Sequence, residues 1–275
     1  RSLSLKKENF YMVENTVDGK FFVTARGWED LSEILKSYEE LQVEIGEELI
    51  GEFLQKEEIA RDFAGYYRLY EKYKSDYQIQ EILDGNVTSR QLKTCCDMGK
   101  KASFEERFTV TEMLLEAVTE RISSFQKTDE KTEKLYGNLK LLKVFLQEKN
   151  SVEAMEQFIV SRRNALDAKI CSELLTAEEA AREEEQIRIL EEYFFQLKEL
   201  HISDVAEGIE QIGERFGNVC RLRNEKLEET KKMLEQAFSF LEECFGEGQE
   251  LLLFETGLTG EDRCSIFISQ YGCPA

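Results

Sequence analysis

Phe104, Phe108, Thr111, Leu115, Val118, Ile122 and Phe125 follow one another at alternating steps of four and three residues. A repeat of that period does not suit a strand. It is the seam of a long helix that must lie against another helix. The spacing returns in Leu135, Leu139, Leu142 and Leu146, and again in Ile187, Leu190, Phe194 and Leu197. It is longest in Val205, Ile209, Ile212, Phe216 and Val219, continued by Leu227, Leu234, Ala237 and Leu241. One proline in 275 residues and 33% charged side chains leave little punctuation for a sandwich or barrel. The seams predict an all-α fold, a long antiparallel helical bundle of coiled-coil-like hairpins with crossings near ~20°.

The expected breaks are local. Lys127-Thr128-Asp129 interrupts the first seam, and Leu135 to Leu146 reads as the returning helix. Asn150-Ser151 opens another helix, and Thr176 with Glu179 forms a capping box for the next. Gly246-Glu247-Gly248 ends the longest. Nearer the start, Asp84-Gly85-Asn86 is a stop, followed by a short helix capped by Thr88 or Ser89. Between the two halves of the longest seam, Arg221, Arg223 and Lys226 replace the apolar line. The favoured reading is snorkelling, with stems packed and heads in water; the alternative is a docking site for a partner charge.

The first residues differ. Phe10 to Val13 and Lys20 to Val23 are β-prone runs around Asp18-Gly19, a strong hairpin signal. A small N-terminal β-hairpin is therefore the only sheet expected. It runs into Thr24-Ala25-Arg26-Gly27-Trp28-Glu29-Asp30-Leu31, where Thr24 is an N-cap and Glu29 and Asp30 favour the helix dipole. Arg26 falls in the first turn, where the dipole disfavours a cation. A helix N-terminus with an arginine suits a phosphate; a solvated arginine is the plain alternative. Trp28, the only tryptophan, reads as a packing anchor. The stripe Phe63, Tyr66, Tyr67, Tyr70 and Tyr73 is interleaved with acids, so it reads as core rather than as a base-stacking surface.

Several functions are disfavoured by composition. With 56 acidic against 36 basic residues and a formal charge of −20, neither nucleic acid nor an anionic membrane is an expected partner. No apolar run approaches the ~20 residues of a membrane span. Seven scattered cysteines suit a reducing compartment, the cytoplasm, as buried apolar thiols without disulfides. His201 is the only histidine, so no metal site is expected. Gly99-Lys100-Lys101 lacks the upstream glycine of a phosphate loop, and no catalytic residue is assigned. The chain starts without Met and stops just after a helical pattern, and reads as a fragment cut at both ends.

The run from Phe22 to Leu35 resembles the start of the lid helix in MoxR-type AAA+ ATPases, in a Firmicutes-like branch. Ile59 to Tyr73, Phe245 to Leu251 and Phe267 to Cys273 resemble the same branch, so the likeness spans almost the whole chain. It implies residues 1–85 as a lid-like unit, hairpin plus helices, and residues 86–275 as an extended helical bundle. It implies that Arg26 is the sensor-2 arginine that reaches the γ-phosphate of ATP, bound with Mg²⁺ by an upstream AAA+ catalytic domain. It further implies a homo-oligomeric ring, a hexamer, that remodels protein clients, and a partner bearing a von Willebrand factor A domain. The bundle would then dock clients or assemble the ring. The other reading is a free-standing coiled-coil interaction module with no nucleotide role.

Overall fold

A computed structural model describes residues 9–16, 19–41, 43–146 and 150–273. Among these residues are eleven helices and one two-stranded antiparallel sheet, an all-α fold with a small N-terminal hairpin. Strand β1, Met12–Thr16, pairs with β2, Gly19–Val23, in the register Met12 to Val23 and Thr16 to Gly19. The Asp18 of the expected turn lies outside the described residues. The chain divides into two compact units. One contains the chain up to Glu81 and Thr88–Met113, the other Ile82–Val87 and the chain from Leu114 onward.

In the first unit, α1 (Ala25–Glu40), α2 (Glu47–Phe53) and α3 (Glu57–Tyr77) pack beneath the hairpin. Val23, Leu31, Ile50, Leu54, Ile59, Ala60 and Ala64 form the core, with Met12, Trp28 and Phe63 against it. The alternation of β2 explains the arrangement. Val23 points inward and is fully buried, whereas Phe22 points outward and is exposed. An ion pair between Lys56 and Glu14 ties the hairpin to the segment before α3. The short helix α4, Ile79–Leu83, follows a left-handed Gln78. Helix α5, Ser89–Gly99, opens with a capping box in which Thr88 accepts from the Gln91 amide.

The main departure from the sequence reading is α6, Phe104–Leu146, which runs unbroken through 43 residues. Lys127-Thr128-Asp129 does not break it, so the two predicted helices are one rod about 64 Å long. None of the three is a glycine or proline, and continuing a helix through them costs only tenths of a kcal/mol per residue.

In the second unit α6 is followed by α7 (Ser151–Cys171), α8 (Ala177–Glu199), α9 (Val205–Phe245), α10 (Gln249–Gly260) and α11 (Asp262–Tyr271). The Asn150, Thr176 and Asp204 side chains cap α7, α8 and α9. Each such cap is worth about 1 kcal/mol. Leu142, Leu146, Phe158, Leu190, Leu197 and Ile212 centre the core of this bundle. Two glycines permit its closest approaches. A Cβ on Gly208 would lie 2.5 Å from the Ser151 Cβ, and one on Gly257 would lie 2.2 Å from the Leu115 Cδ2. Ser151 in turn donates its hydroxyl to the Ile202 carbonyl at 2.6 Å, joining the start of α7 to the segment before α9. Among the described residues no helix is long and apolar enough to cross a membrane.

Candidate functional site

The first turn of α1 is held by three anchors. Thr24, in extended conformation, accepts the Gly27 amide on its hydroxyl at 3.1 Å. Trp28 sets its ring edge-on to Phe63 at 5.1 Å and donates its indole N–H to the Asn9 carbonyl at 3.3 Å. Gly27 faces the end of α2, where a Cβ would stand 2.8 Å from the Phe53 carbonyl oxygen. With Thr24, Gly27 and Trp28 so fixed, Arg26 is directed outward and its side chain is 87% exposed. Among the described residues its carboxylate partner is Asp30, 3.7 Å from Nε and itself half exposed, a pair worth about 0.3–0.5 kcal/mol. Glu29 and Asp30 lie past the first turn, which itself carries no acid. The result is an unclamped guanidinium beside helix amides, a geometry that can meet an anion.

The Arg221, Arg223 and Lys226 group is resolved differently from the snorkelling expectation. Arg221 pairs with Glu225 one turn along α9 at 3.3 Å. Lys226 donates to the Thr128 hydroxyl at 3.2 Å. Arg223 is only 19% exposed and is fully engaged. Its Nε donates to Asp129 Oδ1 at 2.8 Å and its Nη2 to the Tyr271 hydroxyl at 2.6 Å. Tyr271 donates to Asp129 Oδ2 at 3.2 Å, closing a triangle across α6, α9 and α11. The guanidinium also lies 5.2 Å from the Phe125 ring centre. Burial opposes the Arg223 charge, but the Asp129 hydrogen bond and charge more than offset it and raise its pKa. Thr128 and Asp129, expected to be a break, are the partners of this cluster on α6. Asp129 and Tyr271 are 94 and 48 residues away from Arg223, so no local pattern could have named them.

Other reactive groups are muted. Burial, then a hydrogen bond to Glu106, raises the Tyr77 pKa, and burial with a bond to Glu39 raises that of Tyr67. Burial also pushes the Cys95 and Cys264 thiols up, away from thiolate chemistry. Cys171 and Cys273 are exposed, and Cys96 and Cys244 are disulfide-bonded, which corrects the expectation of buried free thiols throughout. His201 adopts a left-handed backbone, its Nδ1 3.0 Å from the Lys198 carbonyl oxygen. Among the described residues no group of three or more His, Cys, Asp or Glu side chains is placed to hold a metal. No protein-family model, curated protein or solved structure matches the chain.

Proposed function

We propose that this chain is the non-catalytic C-terminal portion of a MoxR-like AAA+ ATPase, with Arg26 as the lid arginine that meets the nucleotide. One observation carries the reading. Arg26 stands exposed and unclamped on the first turn of α1, while its neighbours Thr24, Gly27 and Trp28 are all fixed. An arginine kept for packing would be covered, and one kept for a structural ion pair would be held at hydrogen-bond distance.

What this chain has fits one contact with a phosphate, not a whole site. Arg26 and the amides opening α1 would face a γ-phosphate oxygen, and the planar fork of the guanidinium suits that geometry. The upstream catalytic domain would hold the rest of ATP and its Mg²⁺, whose phosphoanhydride supplies the driving energy. The parent would act as a homo-oligomeric ring in chaperone-like remodelling, with a von Willebrand factor A domain protein as a partner. The cytoplasm is the proposed compartment; five free thiols favour it, and the disulfide-bonded Cys96 and Cys244 weigh against it.

A second reading, a coiled-coil interaction module without nucleotide, is favoured by apolar side chains left exposed on α6, such as Leu141 and Val144. Two measurements separate the readings. The coding sequence upstream of Arg1 contains a phosphate-loop ATPase domain in frame on the first reading and none on the second. The chain alone shows no ATP turnover on either; saturable ATP binding tighter than about 1 mM by calorimetry would overturn the assignment of phosphate binding to the upstream domain.

A further inference from the structure

The C-terminal turns of α6 have an outward face unlike the rest of this acidic chain. Residues 134–146 contain Lys134, Lys140 and Lys143 and no Asp or Glu, against a formal charge of −20 overall. All three lysines are exposed. Lys131, earlier on the same helix, is paired with Glu185 at 2.9 Å, whereas none of these three has an ion pair among the described residues: Lys134 acts on the Glu179 carboxylate only through space, and Lys140 lies 5.6 Å over the Tyr136 ring. Beside Lys140 and Lys143, the side chains of Leu141, Val144 and Phe145 are 51%, 64% and 40% exposed. Their spacing of three and four puts them on one face. The opposite face is already filled, since Leu135, Leu142 and Leu146 lie in the bundle core. A helix apolar on both sides is normally covered on both.

We propose that this face docks an acidic amphipathic helix of another protein, whose apolar stripe covers Leu141, Val144 and Phe145 while its flanking carboxylates meet the three lysines. The charge pattern selects that occupant. A second copy using the same face would set lysine against lysine across a two-fold axis. An anionic membrane would have to accept a body of charge −20, and attraction from three lysines is small beside that. Phe145 is pre-positioned, its ring edge-on to Phe158 at 5.3 Å. Gly137, one turn before Leu141, would meet nothing within 4 Å if given a Cβ, and so leaves a dent in which an incoming side chain can sit. This narrows the docking role of the bundle to one face, and it stands whether or not Arg26 meets a phosphate.

The test uses the full chain and a fluorescein-labelled synthetic helix of about 20 residues, with leucines at i, i+3, i+4 and i+7 and glutamates on the flanks. Anisotropy should show saturable binding that weakens with added salt. A peptide with lysines replacing the glutamates, and a scrambled acidic peptide, should each bind at least ~10-fold more weakly. The double variants Leu141→Ser with Val144→Ser, and Lys140→Glu with Lys143→Glu, should each lose ~10-fold or more with circular dichroism and melting unchanged. Lys134→Glu, which removes no apolar contact, should lose severalfold and serves if a double variant misfolds. Equal binding of the three peptides, or variants that bind as the parent does, would overturn the proposal. So would a dimer in sedimentation that Leu141→Ser with Val144→Ser abolishes, or binding to phosphatidylserine vesicles that the same pair abolishes.

Discussion

Replacing Arg223 by leucine separates a snorkelling side chain from a partnered one. Read as a heptad seam, the sequence predicts that Arg223→Leu is neutral or stabilising, because an apolar residue completes the line from Val219 to Leu227. The structure predicts the reverse. The change removes the Nε bond to Asp129 at 2.8 Å and the Nη2 bond to Tyr271 at 2.6 Å, and leaves the Asp129 carboxylate 33% exposed without its cation. Hydrogen bonds to charged groups are each worth about 1.5–3 kcal/mol when buried, and the residual exposure here discounts the pair of them to roughly 2–3. Loss of the stacking on Phe125 adds about 0.5 kcal/mol. The leucine returns about 1 kcal/mol of apolar burial. The net cost is roughly 2 kcal/mol, or about 4–8 °C in melting temperature for a unit of this size. Thermal melts followed by circular dichroism, with Asp129→Ala and the double variant completing a cycle, measure both the loss and the coupling. A coupling near ~1 kcal/mol is expected. An Arg223→Leu protein that melts at or above the parent temperature, with zero coupling to Asp129, would make Arg223 a snorkelling side chain after all.

Three further outcomes follow from the same geometry. Gly27→Ala should destabilise the fold by about 1–3 kcal/mol, because its Cβ would sit 2.8 Å from the Phe53 carbonyl; an unchanged melt would mean that α1 and α2 can move apart freely. Tyr77 has a folded pKa above its ordinary value, first through burial and then through Glu106, so its contribution is complete below about pH 10 and is lost as pH rises beyond that. The melting temperature should fall as pH rises above about 10, and Tyr77→Phe should flatten that slope; an equal slope in both proteins would contradict this. Gly208→Ala should destabilise the second unit through the Ser151 contact at 2.5 Å, and pairing it with Ser151→Gly should recover part of the loss in denaturant titrations.

Much of the local structure could be read from short range. Thr24, Thr88, Asn150 and Thr176 cap helices as their positions suggest, because a side-chain oxygen three residues before a free amide is a local arrangement. Trp28 packs on Phe63, and the two β-prone runs pair as an antiparallel hairpin. What could not be read is tertiary. Lys127-Thr128-Asp129 looks like a loop only if its polar groups are given to water. In the fold Thr128 and Asp129 receive Lys226 and Arg223, and α6 continues. Tyr271, which completes that cluster, lies 142 residues from Asp129, beyond any periodicity argument. The oxidised state of Cys96 and Cys244 is likewise not legible, since spacing along the chain carries no information on whether a cysteine is oxidised.

If Arg26 meets a phosphate, as proposed, the effect is read in the ATP turnover of a protein that carries this chain behind a phosphate-loop ATPase domain. Removing one charge-assisted contact to a phosphate that gains charge in the transition state costs on the order of 10²-fold in rate. Arg26→Ala should therefore lower turnover by about that factor, and Arg26→Lys should restore little of it because a point charge lacks the planar fork. The melting temperature should stay within about 1 °C of the parent, since the side chain is 87% exposed and its Asp30 contact is weak. Full turnover in Arg26→Ala would make Arg26 an ordinary surface residue, and a variant that unfolds would make it a structural one.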